Sequence, residues 1–183
     1  MRTNATGRLT LAALMGALTA VLAQIQIPLP PVPVNLALIG VHLCGCLLGA
    51  RTGAGAMAAY ALLGAAGLPV FAGFAGGPSV LFGPTGGFIA GYILAAWTEG
   101  ALMRRLPFTA RALALSMLLG TAVCYACGLA FFMTVTGSAL PAAFSVCVLP
   151  FLPGDALKLL AGVRLCLRLQ KPLRAIGLDP ESP

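Results

Sequence analysis

The sequence predicts an all-α membrane protein with six transmembrane helices and both termini in the cytoplasm. Three observations carry that prediction. Of 183 residues, 60% are hydrophobic and 8% charged, with a mean hydropathy of +1.00; a soluble domain of this size has too little interior for so much apolar surface. The apolar residues fall into runs, and roughly six runs near the ~20 residues that cross a hydrocarbon core fit the chain, leaving no room for a soluble catalytic domain. The basic residues are sided. Arg2 and Arg8 precede the first run, Arg51 follows the second, Arg104, Arg105 and Arg111 follow the fourth, and Arg164, Arg168, Lys171 and Arg174 come last. Those are ten of the eleven basic residues, and the three links on the other side hold none. Retention of Lys and Arg in the cytoplasm then places both termini inside. The net charge of +7 is therefore topogenic, which argues against nucleic acid as a partner and for a multi-pass protein of the plasma (inner) membrane, in contact with lipid.

The predicted helices are about 9–27, 34–48, 54–66, 84–103, 112–135 and 148–169, in one integral-membrane, substrate-binding domain over 1–183. The first run is too long for a signal peptide and ends in Gln24-Ile25-Gln26-Ile27-Pro28 rather than a small-residue cleavage site. Ala12, Gly16 and Ala20, with Ala13 and Ala17 beside them, form stripes of small residues that let another helix approach. They serve either internal packing or the docking of another subunit. Pro28, Pro30, Pro31 and Pro33 cannot continue a helix and predict a stiff extended link. Asn35 opens the second helix. Gly49 to Gly53 predicts a tight turn, and the Ala- and Gly-rich third helix should be buried.

Gly67 to Gly83 is an uncharged loop with several glycines and three phenylalanines, more apolar than a soluble loop. It is either a lid over a membrane-embedded pocket or a re-entrant packing loop. Gly83-Pro84-Thr85-Gly86-Gly87 opens the fourth helix, with Pro84 suited to a first turn. Gly86 and Gly87 bare the backbone there, so that N–H groups and the Thr85 hydroxyl can face a ligand; Gly83, Gly87 and Gly91 also share a face suited to close packing. The Gly-Lys-Ser/Thr ending of a phosphate loop is missing. Glu99 is expected to pair with Arg104 or Arg105. The six cysteines sit in apolar surroundings and read as small packing residues, Cys124 and Cys127 included. The single histidine, His42, reads as a packed interhelical polar residue.

Asp155 and Lys158 stand one turn apart in the otherwise apolar Leu149–Leu160 stretch. That spacing lets them pair or grip one ligand together, and ionisable groups at membrane depth usually face a cavity or a partner. The topology gathers the Pro-rich link, the Gly67–Gly83 loop, Thr85 and this turn at the outer end. A cavity there would hold an amine, a carboxylate, the Gly-rich helix start, Asn35, Gln24, Gln26 and Tyr92 within apolar walls. That composition fits a small amphipathic ligand, a carboxylate with amide-like donors. A self-satisfied ion pair is the alternative. No nucleotide motif or catalytic constellation is present, and the chain is small for an autonomous transporter.

Four stretches, in order, resemble one family: Ile27 to Pro33, Gly64 to Phe71, Phe82 to Phe88 and Leu152 to Lys158. Together they span nearly the whole chain and are similar to the BioY family, biotin-specific S components of energy-coupling factor (ECF) transporters. The resemblance implies a six-helix bundle that captures biotin from outside, is not an enzyme, needs no cofactor of its own, and works with a T component and two ABC-type ATPases that use ATP. It implies binding roles for Asp155 and Lys158, with Ser79 in the loop, and T-component docking at Ala13 and Ala17. An S component for another small carboxylate vitamin is the alternative.

Overall fold

The computed structural model describes residues 5–29 and 31–175. Arg2 and Pro30, both used in the sequence reading, lie outside the described residues. Helix α1 spans Ala5–Gln24 and ends earlier than expected. Ile25 and Ile27 are β-branched, and Pro28 disfavours helical backbone in the residue before it. The chain forms a short hairpin instead of a plain connector: β1, Gln26–Ile27, pairs antiparallel with β2, Val34–Asn35, in the register Gln26 to Asn35 and Ile27 to Val34.

Helix α2 then runs over Ala37–Ala65. Asn35 Oδ1 accepts the Ala37 N–H at 3.0 Å, which fixes the start. The two helices expected at 34–48 and 54–66 are joined here. The turn between them shrinks to one residue, Gly49, at φ 78° and ψ 173°, a conformation that essentially only glycine accepts. Helix α3, Pro78–Phe82, lies in the expected loop after a single 3-10 turn at Ala72–Phe74. Helix α4 spans Gly86–Met103 and α5 Ala110–Thr136, the latter capped by the Thr109 hydroxyl, which accepts from the Ala112 N–H. The last expected helix, 148–169, is divided differently. Helix α6, Leu140–Cys147, lies in what the sequence suggests is a link, and α7, Leu152–Ala175, follows after a 53° bend. Pro150, with no N–H to give, falls in the break.

Three helices, α1, α2 and α5, are each long and apolar enough to cross a bilayer, and the bent α6–α7 pair forms a further broken span. Large apolar side chains cover the outside, Leu9, Leu62 and Leu157 each near 70% exposed. Such a surface is stable against lipid chains and not against water. Helix α2 is central, packed on α1 and α4, with α5 against α4 and α7 reaching both α2 and α5.

Two features set these packings. At Gly100 of α4, an added Cβ would lie 2.2 Å from the Ala50 nitrogen, so α4 fits directly into the α2 break. Farther into the bundle, His42 Nδ1 lies 2.8 Å from Glu99 Oε1, both side chains fully buried. Glu99 therefore does not pair with Arg104 or Arg105. It turns inward because Gly45 on α2 and Gly120 on α5 leave room for its carboxyl: Cβ atoms there would sit 2.8 Å and 2.2 Å from Glu99 atoms. The Cys46 thiol also donates to Glu99 Oε2, at 3.7 Å.

Removing one partner of such a pair strands a buried ionisable group, at a cost of about 3–5 kcal/mol, whereas replacing both is far milder. His42→Leu should therefore sharply lower the unfolding temperature in detergent, and His42→Leu with Glu99→Met should recover most of the loss. Gly100→Val should lower it as well, by about 2 kcal/mol or more of overpacking, while Gly55→Val, where nothing lies within 4 Å of the added Cβ, should not.

Candidate functional site

Pro153 in the first turn of α7 starts the helix so that Asp155 falls at its amino end, where the exposed N–H groups favour a carboxylate. One turn on, Lys158 Nζ donates to Asp155 Oδ1 at 2.7 Å. Both are nearly buried, Asp155 9% and Lys158 5% exposed. The other carboxylate oxygen, Oδ2, accepts a short hydrogen bond from the Tyr125 hydroxyl of α5. The carboxylate is thus held from two helices.

These groups face a narrow cavity of about 50 Å³. Asn35 from β2 and Tyr92 from α4 also line it, as do Thr121 and Cys124 on the turn of α5 before Tyr125. Its apolar walls are Val32 and Pro33 from the link, Leu38 of α2, Phe88 of α4 and Phe151. Phe88 stands edge-on to Tyr125, ring centroids 6.4 Å apart. Gly128 makes the space for Phe88, since a Cβ there would come within 2.3 Å of the ring.

The cavity therefore gathers Asn35, Tyr92, Asp155 and Lys158 from three separate stretches. Thr85, Gly86, Gly87 and Ser79 do not line it. The Thr85 hydroxyl donates to the Val80 carbonyl at 3.5 Å. The space bared by Gly86 is taken by the Leu81 carbonyl, 1.7 Å from where a Cβ would be, and that of Gly87 by Phe131 of α5. Ser79 is exposed on α3. Gln24 ties the 67–83 loop to α1: its Nε2 donates to the Phe71 carbonyl at 3.0 Å and its Oε1 accepts the Phe74 N–H at 2.8 Å. Phe71 packs into the notch at Gly64 and edge-on to Tyr60, at 5.5 Å. The loop is stapled down beside the site, and none of its residues closes this cavity.

Tyr125 and the apolar walls escaped the sequence reading. Tyr125 did leave a trace. With Thr121 it forms a polar pair four residues apart inside an apolar helix, and a buried tyrosine hydroxyl needs a partner. Phe88 and Phe151 left none, being indistinguishable from lipid-facing phenylalanines until the helices are placed. Ala13 and Ala17 lie elsewhere, exposed on α1 along a groove of about 760 Å³ between α1 and the second half of α2.

Comparison with known proteins places this geometry. The family model described as the BioY family matches residues 1–175. The biotin transporter BioY of Thermotoga maritima is 42% identical over 160 residues, 87% of this chain and 94% of that one. A probable biotin transporter BioY of Pyrococcus horikoshii is 37% identical over 161 residues, 88% and 94% of the two chains. Among solved structures, the S-component for biotin from an ECF-type ABC transporter superposes with a TM-score of 0.84 at 27% identity, covering 93% of this chain and 94% of that one. With a family model spanning almost its full length and relatives matched nearly end to end, this chain belongs to the BioY family.

Proposed function

We propose that the protein is the substrate-capturing S component of an ECF-type ABC transporter, that its ligand is biotin, and that Asp155, Lys158 and Tyr125 form the polar centre of the site. The carrying observation is the Tyr125–Asp155–Lys158 chain facing an open space lined by Phe88, Phe151 and Leu38. Biotin matches it in kind. Its ureido N–H groups suit Asp155, its carboxylate suits Lys158, and its fused rings suit the aromatic walls. Binding exchanges the internal Lys158–Asp155 contact for contacts with a ligand that carries both complementary groups. A ligand with only one would leave a buried charge without its partner, and that selects against it. Related names of biotin transporters support the choice of vitamin.

The chain carries out no bond making or breaking in this reading. It needs no cofactor, and the energy for uptake comes from ATP hydrolysed by two partner ATPases acting through a T component. Ala13 and Ala17 are the docking face for that T component. They are exposed, they edge the α1–α2 groove, and small side chains let a partner helix come close. Asn35 and Tyr92 complete the binding site, with Thr85, Gly86, Gly87 and Ser79 supporting its outer rim through α3 and the start of α4.

Calorimetry on detergent-purified protein should give saturable one-to-one biotin binding, not displaced by other carboxylate vitamins. Truncating a member of a buried, hydrogen-bonded charge pair costs about 2 kcal/mol or more, so Asp155→Asn and Lys158→Ala should each weaken biotin at least about thirtyfold. Tyr125→Phe should weaken it about tenfold, the loss of one charge-assisted hydrogen bond. Absence of biotin binding, or unchanged affinity in all three variants, would defeat the assignment. Ala13→Arg with Ala17→Arg should leave biotin affinity intact and abolish co-purification with the T component.

A further inference from the structure

The Asp155–Lys158 pair does not account for every polar group of the cavity. Asn35 of β2 and Tyr92 of α4 also line it, each half-buried. The orientation of the Asn35 amide is fixed. Its Oδ1 accepts the Ala37 N–H at 3.0 Å. A backbone N–H can only donate, so the oxygen end lies there and the free end is Nδ2, which donates and does not accept. That end stands beside the Tyr92 hydroxyl. Neither group is sealed in: among the described residues, the buried side-chain polar atoms without a partner belong to Gln26 and His42.

Both donors are carried on well-held backbone. Asn35 pairs with Gln26 across the hairpin, and the next residue, Leu36, donates its N–H to the Ile25 carbonyl at 3.2 Å. Tyr92 follows Gly91, where an added Cβ would lie 3.0 Å from the Cys124 Cα, so α4 is packed directly on α5 there. Donors held in place before the ligand arrives lose little freedom on binding.

The same cavity holds an acceptor. Asp155 Oδ1 receives Lys158 and Oδ2 receives Tyr125. A carboxylate has about four lone-pair sites, so each oxygen can accept once more. One small group answers this whole set: a cyclic urea, whose carbonyl oxygen needs donors and whose two flanking N–H groups need an acceptor. The cavity, at about 50 Å³, is far below the several hundred Å³ usual for an entire small-molecule ligand. Its size suits one compact polar group.

We propose that Asn35 and Tyr92 are the specificity-determining residues for the ureido oxygen of the ligand. Asn35 Nδ2 and the Tyr92 hydroxyl both donate to that oxygen, the ring N–H groups are donated to Asp155, and the carboxylate stays with Lys158. The two donors select a cyclic urea against a ring of the same shape that presents an N–H at the oxygen's position. This inference rests on biotin being the ligand of the cavity.

The test compares biotin with 2-iminobiotin by calorimetry at neutral pH. The two share their rings and carboxylate tail, but iminobiotin carries a protonated guanidine, whose exocyclic nitrogen donates where the ureido oxygen accepts. Asp155 and Lys158 meet the same groups of both ligands, so their share cancels when variants are compared by the ratio of the two affinities. Asn35→Asp keeps an oxygen for the Ala37 N–H and turns the free end from donor to acceptor. It should shift the ratio toward iminobiotin at least about thirtyfold, because biotin loses a donor and iminobiotin gains an acceptor. Tyr92→Phe should weaken biotin about tenfold and iminobiotin less than about threefold. If Asn35 served only to start α2, Asn35→Asp would affect both ligands alike. The proposal fails if either variant, folded as judged by its unfolding temperature, keeps the wild-type ratio within about threefold; should Asn35→Asp not fold, Tyr92→Phe decides alone. A wild type silent toward biotin would instead overturn the proposed function.

Discussion

An amine and a carboxylate held together where water is scarce is the constraint around which this bundle is arranged. Each charge alone would cost about 2.5 kcal/mol or more at membrane depth. Together, Lys158 and Asp155 offset much of that cost through one close contact, and the Tyr125 hydroxyl satisfies the remaining carboxylate oxygen. The local sequence favours this placement. Pro153 starts α7, the helix amino end stabilises Asp155, and the three-residue step brings Lys158 back over it. A pair so placed is stable enough to persist, and its two members are joined by a single close contact.

The second buried pair shows why chemistry alone does not make a site. His42 and Glu99 are as close as Lys158 and Asp155 and more deeply buried. They also lie a short way along two of the helices that line the cavity, α2 and α4. Leu38, in the cavity wall, is one turn before His42, and a Cβ at Gly162, one turn after Lys158, would lie 3.6 Å from the His42 Cβ. The difference is space. Gly45 and Gly120 let α2 and α5 close directly over Glu99, and neither His42 nor Glu99 lines the cavity. The aromatic side chains Phe88, Tyr125 and Phe151 hold the elements apart at the other pair. Glycine seals one ion pair into the fold, and aromatic bulk leaves a cavity beside the other.

The parts of this arrangement legible in the sequence are those that break an apolar background. Asp155, Lys158, Asn35 and Tyr92 stand out because polar groups in hydrophobic runs are costly, and all four reach the cavity. The membrane class is legible for the same reason. The walls are not, because Phe88 and the exposed Phe82 look alike until neighbouring helices are placed. The glycines are ambiguous in a deeper way. Gly86 and Gly87 bare the backbone equally for a ligand or for a neighbouring helix, and here Leu81 and Phe131 occupy the space. Glu99 misled through sequence proximity: two arginines follow within six residues, but the helix face it occupies points at α2. The continuity of α2 and its starting point depend on single residues, Gly49 and the Asn35 side chain, whose conformations no hydropathy pattern reports.

The ties between elements are also unequal around the site, and that inequality has a mechanical consequence. On one side, Gln24 and Tyr60 bond the 67–83 loop to α1 and α2, while glycine notches lock α4 against α5. On the other side, no backbone hydrogen bond joins β2 to α7 among the described residues, and a Cβ added at Gly154 of α7 would only just touch Val34. Local opening follows the least-bonded boundary. A cavity too small for its ligand must enlarge, and the stitched side would have to give up several hydrogen bonds and close packing to do so. The β2–α7 boundary has no backbone hydrogen bond to give up. Helix α7 carries both charged residues, so movement at that boundary would separate the groups proposed to contact the ligand from Asn35 and then return them to it. Opening and recognition thus reside in the same helix, which is a reason for the pair to sit on α7 rather than on the locked α4–α5 side.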